Sequence, residues 1–142
     1  MDSPAVTDHT ELIDALVRTA FSTTAVLSKI AAEHDLSLTQ VRVLAILRDR
    51  QASMSDLATY LGLDKSTISG LVDRAEKRGL LKRTPNPLDG RGVDVALTAE
   101  GIALAERGAA RIAHALSPMT SALNLAEVRR LTTLLERMLG SA

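Results

Sequence analysis

The feature that most constrains the fold is a pair of helical patterns, joined by a glycine turn, that leads into a predicted β-hairpin. The first pattern is Ser53–Tyr60, the turn is Leu61-Gly62-Leu63, and the second pattern runs over Asp64–Arg78. Asp64 is a residue type that caps helix starts, and Gly79 supplies a left-handed helix end. The spacing predicts a helix-turn-helix, whose second helix fits the major groove of DNA.

A β-hairpin is predicted directly after this unit, with strands over Leu81–Thr84 and Val93–Leu97. Two prolines in the loop between them exclude a helix there, and Arg91 lies at its tip. On the second strand, alternation places Val93, Val95 and Leu97 on one face and Asp94 and Ala96 on the other. We call residues 81–97 the wing. A wing that reaches the minor groove beside a helix in the major groove is suited to reading DNA.

The remaining chain predicts helices around an aliphatic core. Apolar residues make up 46% of the 142 residues, yet Phe21 and Tyr60 are the only aromatic ones. Helical spacing predicts a long helix that ends at about Glu33 and a second helix from the capping box at Ser37 to about Arg50. Two more helices are predicted after Thr98, and Pro118 marks the end of the one that Thr98 begins. In the helix after Asp64, the core-facing residues are predicted to be Ile68, Leu71, Val72 and Ala75.

The predicted fold class is mainly α with a small β-hairpin wing, in a single domain over residues 1–142. A winged helix-turn-helix core occupies residues 37–97. Helices over residues 8–33 and 98–140 flank this core. These terminal helices carry more apolar surface than a small core needs, which favours a homodimer interface, although they could instead pack on each other within one chain. A two-fold axis would present two reading helices about 34 Å apart.

Charge is segregated along the chain, although the net charge is zero. Residues 65–91 contain seven basic and three acidic residues, a net charge of +4, and the remainder carries −4. A positive segment of this kind is typical of a DNA-binding face, although a randomly mixed surface also produces such clusters.

Several function classes are disfavoured by what the sequence lacks. It contains no cysteine, which excludes disulfides and thiolate metal sites, and His9, His34 and His114 show no metal-ligand spacing. We therefore expect no cofactor and no metal. No nucleophile elbow or phosphate-binding glycine loop is present, so we do not expect an enzyme. No long apolar run or signal peptide appears, and we expect a cytoplasmic protein with no membrane partner.

The sequence resembles the MarR family of bacterial winged-helix regulators in layout over nearly the whole chain. Three motifs carry the resemblance: Leu71–Leu80, Arg83–Gly92 and Leu97–Gly101. The wing signature is an acidic residue two positions before an arginine, followed by the Leu-Thr-x-x-Gly start of a helix. Because these linked motifs occur in the right order, a chance match is not expected.

The resemblance implies a triangular homodimer joined by its terminal helices. It also implies a transcription regulator, usually a repressor, that releases a pseudo-palindromic operator when a small molecule binds; we expect a phenolic or carboxylate effector. By position, Arg91 resembles the wing-tip arginine that enters the minor groove, and Asp89 resembles the acidic residue that holds it in place. A guanidinium is attracted to a narrow A·T-rich minor groove, which gives this assignment a physical reason.

Two positions depart from the family pattern. Position 90 is often basic but is Gly90 here, and the outer position at Gly70 often carries an arginine. Both changes remove contacts to phosphate or bases, so we expect binding that is weaker or more sensitive to salt. Gly70 in mid-helix also costs about 1 kcal/mol relative to alanine, unless it permits a close approach of the helix to a backbone.

The candidate DNA-binding residues lie on the exposed side of the second helix and on the wing. Hydroxyls near the helix start are candidates to bind base edges, and the cations of the helix are candidates to bind phosphate or base edges. Lys82 and Arg83, at the start of the hairpin, are candidates to bind phosphate. Solvated surface, helix capping and surface ion pairs are the alternative interpretations. The predicted set is Lys65, Ser66, Thr67, Ser69, Gly70, Arg74, Lys82, Arg83, Asp89 and Arg91.

Two further groups are weaker candidates. Ser37, Thr39 and Gln40 could bind the DNA backbone, although capping explains them. His34 and Arg42 border the region where relatives bind effectors, although exposed helix ends explain them too. The leading hypothesis is a ligand-responsive dimeric repressor; the alternative is a winged-helix module that binds proteins and not DNA. That alternative predicts an apolar or acidic outer face on the second helix, whereas the residues there are polar and basic.

Overall fold

The computed structural model describes residues 4–86, 88, 90 and 92–140, with side chains from residue 9 onward. Within this part of the chain, six helices accompany a three-stranded antiparallel sheet. The helices are α1 (Pro4–Glu33), α2 (Leu38–Leu47), α3 (Met54–Leu61), α4 (Lys65–Lys77), α5 (Ala99–Thr120) and α6 (Leu125–Leu139). The strands are β1 (Ala52–Ser53), β2 (Leu81–Pro85) and β3 (Val93–Leu97). The predicted fold class is confirmed.

The sheet has the order β1-β3-β2, so the first strand of the wing is at one edge and β1 at the other. In the hairpin, Leu81 pairs with Leu97 and Thr84 with Asp94. Strand β1 was not predicted. It contains two residues, and Ser53, its second, also caps α3 by accepting a hydrogen bond from the N–H of Asp56 at 3.0 Å. A capping residue gives no local strand signal, and its pairing with Asp94 depends on the fold.

The core of the winged unit forms where α2, α3 and α4 pack against the sheet. The predicted core face of α4 is confirmed, because Ile68, Leu71, Val72 and Ala75 are all buried. The left-handed helix end is confirmed as well, since Gly79 has a φ of 75°. On β3, Val95 and Leu97 are buried as alternation predicts.

Two residues of β3 depart from a simple inside–outside alternation. Val93 is 39% exposed, and Asp94 is only 8% exposed. Two side-chain amides, those of Gln51 and Asn86, donate hydrogen bonds to the carboxylate of Asp94, which offset the cost of its burial.

Three predicted helix boundaries were wrong by a few residues. Helix α1 begins at Pro4 and not near residue 8, and α2 ends at Leu47 and not near Arg50. Helix α5 continues through Pro118 to Thr120. A proline inside a helix leaves the carbonyl four residues earlier without its usual donor. Here that carbonyl belongs to His114, and the hydroxyl of Ser117 donates to it at 2.7 Å, which stabilises the last turn.

The terminal helices expose a wide apolar surface. Helix α6 begins at a capping box formed by Asn124 and Glu127, and it has no buried residue. Helix α1 packs on α5, with an ion pair of 3.3 Å between Glu33 and Arg111. A groove of about 430 Å³ between α1 and α6 is lined mainly by aliphatic side chains. Among the described helices, none combines the length and the hydropathy needed to cross a bilayer.

Candidate nucleic-acid interface

The start of α4 is fixed by Asp64. Its carboxylate accepts a hydrogen bond from the N–H of Thr67 at 2.7 Å and from the hydroxyl of Ser66 at 2.8 Å. The N–H of Thr67 is the main cause that lowers the pKa of Asp64. Because the Ser66 proton points to Asp64, the Ser66 oxygen is left to accept hydrogen bonds and not to donate one.

The predicted residues on the outer side of α4 differ in how exposed they are. Lys65, Thr67 and Arg74 are exposed, whereas Ser69 and Gly70 are half-buried. A Cβ placed on Gly70 would lie 3.3 Å from the Nη1 atom of Arg74, so the guanidinium of Arg74 extends back over this glycine. The structure therefore brings the α4 candidates together on one polar and basic surface.

A cleft of about 500 Å³ separates α4 from the wing. Lys65, Ile68 and Ser69 line it from α4, Ser53 and Ser55 line it at the start of α3, and Asn86 and Gly92 line it from the wing. The cleft contains no acidic lining residue among those described, and it opens between the two elements that the sequence predicts to bind DNA.

Part of the wing is described. Lys82 is exposed on β2, and the N–H of Asn86 donates to the carbonyl of Gly92 at 3.0 Å, which closes the base of the loop. Asp89 and Arg91 lie outside the described residues. Their assignments as the wing-tip pair stay predictions.

Arg83 bridges the wing to α4, which the sequence pattern did not indicate. Its Nη2 atom lies 2.6 Å from Asp73 Oδ1, and its Nη1 atom lies 3.0 Å from Glu76 Oε1. The hydrogen bond to Asp73 is the main cause that raises the pKa of Arg83. Its predicted role as a phosphate anchor stays untested, and both terminal nitrogens already bind carboxylates.

A second polar group at the wing was missed. The buried carboxylate of Asp94 accepts hydrogen bonds from Asn86 Nδ2 at 3.1 Å and from Gln51 Nε2 at 3.3 Å. The one signal in the sequence is an acidic residue in the middle of an apolar strand. Its partners cannot be read from the sequence, because they depend on the register of the hairpin.

Arg78 connects the end of α4 to the turn between α1 and α2. It donates hydrogen bonds to the carbonyls of His34 at 3.0 Å and Asp35 at 2.9 Å. Asp35 has a φ of 54°, in the left-handed region that non-glycine residues seldom adopt. The C-cap residue of α4 thus holds this turn.

Three of the weaker candidates, Ser37, Gln40 and Arg42, have structural partners. Ser37 and Gln40 form the capping box of α2, with hydrogen bonds of 2.8 and 3.1 Å. Arg42 donates to the carbonyl of Tyr60 at 3.0 Å, which ties α2 to the end of α3. In the described part of the chain, no group of three His, Cys, Asp or Glu side chains is placed to hold a metal ion.

A cavity of about 320 Å³ lies between α2 and α5. It lies where the winged core meets the terminal helices, and its lining is almost entirely aliphatic. Among the described residues that line it, Arg48 carries a charge. His34 and Arg42 are not part of this lining. The lining residues are Val41, Leu44, Ala45, Arg48, Ala105, Gly108, Ala109, Ile112 and Ala113.

Comparison with known proteins identifies relatives of the chain. A model of the MarR family matches residues 34–92, which span α2, the helix-turn-helix and most of the wing. The transcriptional repressor NicR of Pseudomonas putida is 33% identical over 137 residues, and the match covers 94% of this chain and 86% of NicR. The sequence relationship therefore extends beyond the winged core into the terminal helices.

Two solved structures are similar in fold over most of their length. A variant of MarR from E. coli, complexed with operator DNA, has a TM-score of 0.71 and 27% identity, and the match covers 96% of this chain and 99% of that one. BpsR of Bordetella bronchiseptica has a TM-score of 0.71 and 28% identity, covering 92% of this chain and 94% of that one. That structure concerns the regulation of BpsR DNA binding by 6-hydroxynicotinic acid.

Proposed function

The chain belongs to the MarR family of transcription regulators, and from this premise we propose how it binds and releases its operator. It is a DNA-binding regulator and not an enzyme. We propose that it is a repressor, as NicR is named, and that its site of action is chromosomal DNA in the cytoplasm. The observation that carries the proposal is the polar and basic side of α4, which faces a cleft of about 500 Å³ beside the wing.

We propose a homodimer as the DNA-binding unit. Helix α6 buries none of its residues within one chain, and its apolar side chains Val128, Leu131 and Leu135 are each more than a third exposed. Covering such a stripe with a second copy removes apolar surface from water, which favours association. A two-fold axis through these helices presents two α4 helices to successive major grooves, so the proposed operator is a pseudo-palindrome.

The proposed contacts divide by chemistry. Thr67 and Ser69 offer hydroxyls to base edges, and the Ser66 oxygen accepts hydrogen bonds only, because its proton is donated to Asp64. Lys65, Arg74 and Lys82 are proposed to bind phosphate or base edges. Arg91 is proposed to enter the minor groove, with Asp89 holding its guanidinium.

The effector is proposed to bind in the cavity between α2 and α5. A ligand there separates a helix of the winged core from a helix of the dimer region, so it changes the distance between the two α4 helices. The aliphatic lining suits a small planar or aliphatic body, and Arg48 suits an acidic group. BpsR, whose DNA binding is regulated by 6-hydroxynicotinic acid, supports a small acidic ligand of this kind.

The wing contact is tested with Arg91→Ala, measured by fluorescence anisotropy on the DNA that flanks the coding region. We expect the affinity to fall by roughly tenfold or more, since a good arginine contact is worth about 1–3 kcal/mol. The matched control is Arg129→Ala, which removes the same charge from α6. Equal affinities of Arg91→Ala and wild type would reject the proposed role of the wing.

A further inference from the structure

The wing is held at its base by a buried carboxylate. Asp94 lies on the central strand of the sheet and is 8% exposed. A buried ionised group is stable only when hydrogen bonds replace the water that it has lost. Both oxygens of Asp94 have such a partner, since Asn86 donates to Oδ1 at 3.1 Å and Gln51 donates to Oδ2 at 3.3 Å.

A second hydrogen bond of the Asn86 side chain determines how its amide is oriented. Its Oδ1 atom accepts a hydrogen bond from the N–H of Leu88 at 2.8 Å, so the NH₂ group is the part that faces Asp94. The main-chain N–H of Asn86 also donates to the carbonyl of Gly92. Asn86 therefore contacts Leu88 and Gly92, which precede and follow Arg91 in the chain, and Asp94 holds the Asn86 side chain.

The other partner of Asp94 connects this loop to the helix-turn-helix. Gln51 directly precedes β1, and Ser53 of β1 is the N-cap of α3. Strand β1 pairs with β3 in a register that places Ser53 opposite Asp94. A continuous set of hydrogen bonds thus runs from the segment before α3, through Asp94 and Asn86, to Leu88 in the wing loop.

We propose that Asp94 is a positioning residue, which sets the pose of the wing loop for its contact with the minor groove. The proposal rests on the wing contact described under the proposed function. Asp94 itself is too buried to touch DNA, so it acts through Asn86. Loss of its acceptor oxygens removes the hydrogen bond from Asn86 Nδ2, and with it the connection between the base of the wing and the central strand.

Four variants test the proposal. Asp94→Leu keeps the branched shape of the side chain but removes the acceptor oxygens. Asn86→Asp places a second carboxylate beside that of Asp94. Asp94→Asn keeps an acceptor for Asn86, and Gln51 can rotate its amide to suit the new NH₂ group. The double variant Asn86→Asp with Asp94→Asn exchanges donor and acceptor, so each of the hydrogen bonds to Leu88, Asn86 and Gln51 described above is retained.

Protection of DNA from methylation reports contacts in the minor groove and in the major groove separately. Dimethyl sulfate methylates adenine N3 in the minor groove and guanine N7 in the major groove, so protection of each reports the wing and α4 separately. We expect Asp94→Leu and Asn86→Asp to lose protection of adenine N3, to keep protection of guanine N7, and to bind the operator roughly tenfold more weakly. Asp94→Asn and the double variant should retain both protections.

The outcomes distinguish the inference from the proposed function. If wild type fails to protect adenine N3, the wing contact itself is absent and both proposals fall. If wild type protects it and both single variants, Asp94→Leu and Asn86→Asp, protect it equally, the positioning role of Asp94 is overturned. Thermal unfolding identifies a variant that fails to fold. If Asp94→Leu fails to fold, Asn86→Asp is compared with the double variant instead. The proposal is also overturned if the double variant does not restore the protection of adenine N3 that Asn86→Asp loses.

Discussion

Arg83 and Asp73 join the wing to the reading helix through an ion pair of 2.6 Å between Nη2 and Oδ1. Glu76, one turn further along α4, holds the second terminal nitrogen at 3.0 Å. The two elements proposed to enter adjacent grooves are therefore linked on the side of α4 that does not face the core. Their relative orientation is set within the protein before DNA binds, which lowers the cost of ordering them in the complex.

Replacement of either partner of this ion pair should weaken operator binding by a similar factor. We expect Arg83→Gln and Asp73→Asn each to lower affinity severalfold, with a loss of about 0.5–1 kcal/mol in the free energy of unfolding, because the pair is partly exposed. The salt dependence of binding shows whether Arg83 contacts DNA phosphate or acts through its ion pair with Asp73. Lys82→Gln should reduce the slope of log K against log salt by about 1, whereas Arg83→Gln should leave it unchanged. A reduced slope for Arg83→Gln would assign Arg83 to phosphate, as its position in the sequence predicts.

Base preference should depend on the hydroxyls of α4 and not on the lysine of the wing. Thr67→Ala and Ser69→Ala are expected to change the sequences recovered in a selection from random duplexes, because they remove hydrogen bonds to base edges. Lys82→Ala should weaken all sequences evenly. Thr133→Ala on α6 removes the same kind of hydroxyl and serves as the control. Identical losses of preference in the α4 variants and in Lys82→Ala would contradict this division.

Asp64 should make stability depend on pH in the acid range. Its pKa is lowered in the folded protein, chiefly because the N–H of Thr67 donates to it, so its contribution is present above the unfolded value near 3.8. The contribution is lost as the pH falls through the lower folded value. Asp64→Ala should therefore have a lower Tm than wild type at neutral pH, with a gap that narrows in acid. Asp64→Asn keeps a capping side chain and should retain a Tm close to wild type at neutral pH. A gap that is constant with pH would contradict the assignment.

Gly101 should tolerate no side chain, because a Cβ there would lie 2.1 Å from the carbonyl oxygen of Leu80. This close approach gives a physical reason for the glycine in the Leu-Thr-x-x-Gly motif at the start of α5. We expect Gly101→Ala to lower the free energy of unfolding by about 2 kcal/mol or more. Gly108→Ala is the matched control on the same helix, since its Cβ would meet nothing within 4 Å, and it should stabilise by up to about 1 kcal/mol. Chemical denaturation measures the free energy of unfolding of both variants. Equal changes in the two variants would contradict a steric clash between residue 101 and Leu80.

The sequence predicted those parts of the fold whose causes are local. The cap at Asp64 and the left-handed Gly79 arise from interactions within a few residues, and the core face of α4 can be read from its helical period. The structure confirms each. Strand β1 was missed, because two residues form a strand only when β3 is present to pair with them. The helix end predicted at Pro118 was wrong, since the hydroxyl of Ser117 satisfies the carbonyl that the proline leaves free.

The sequence predicted which residues of α4 share its exposed side, but not the partners that the candidate residues contact. The exposed residues of α4 lie together as the helical period indicates. The contacts of Arg83 with Asp73, of Asp94 with Asn86, and of Arg78 with the α1–α2 turn join residues whose proximity depends on the packed sheet and helices. Residue type alone indicates a cation or a carboxylate, whereas the partner is determined by tertiary structure.

Sequence-specific binding of DNA is tested most directly by one pair of affinities. Fluorescence anisotropy at about 0.15 M salt should compare the DNA that flanks the coding region with a scrambled duplex of equal length and composition. A regulator with the proposed interface should bind the flanking DNA at least about a thousandfold more tightly. Equal affinity for the two duplexes would contradict the assignment of α4 and the wing as a reading surface.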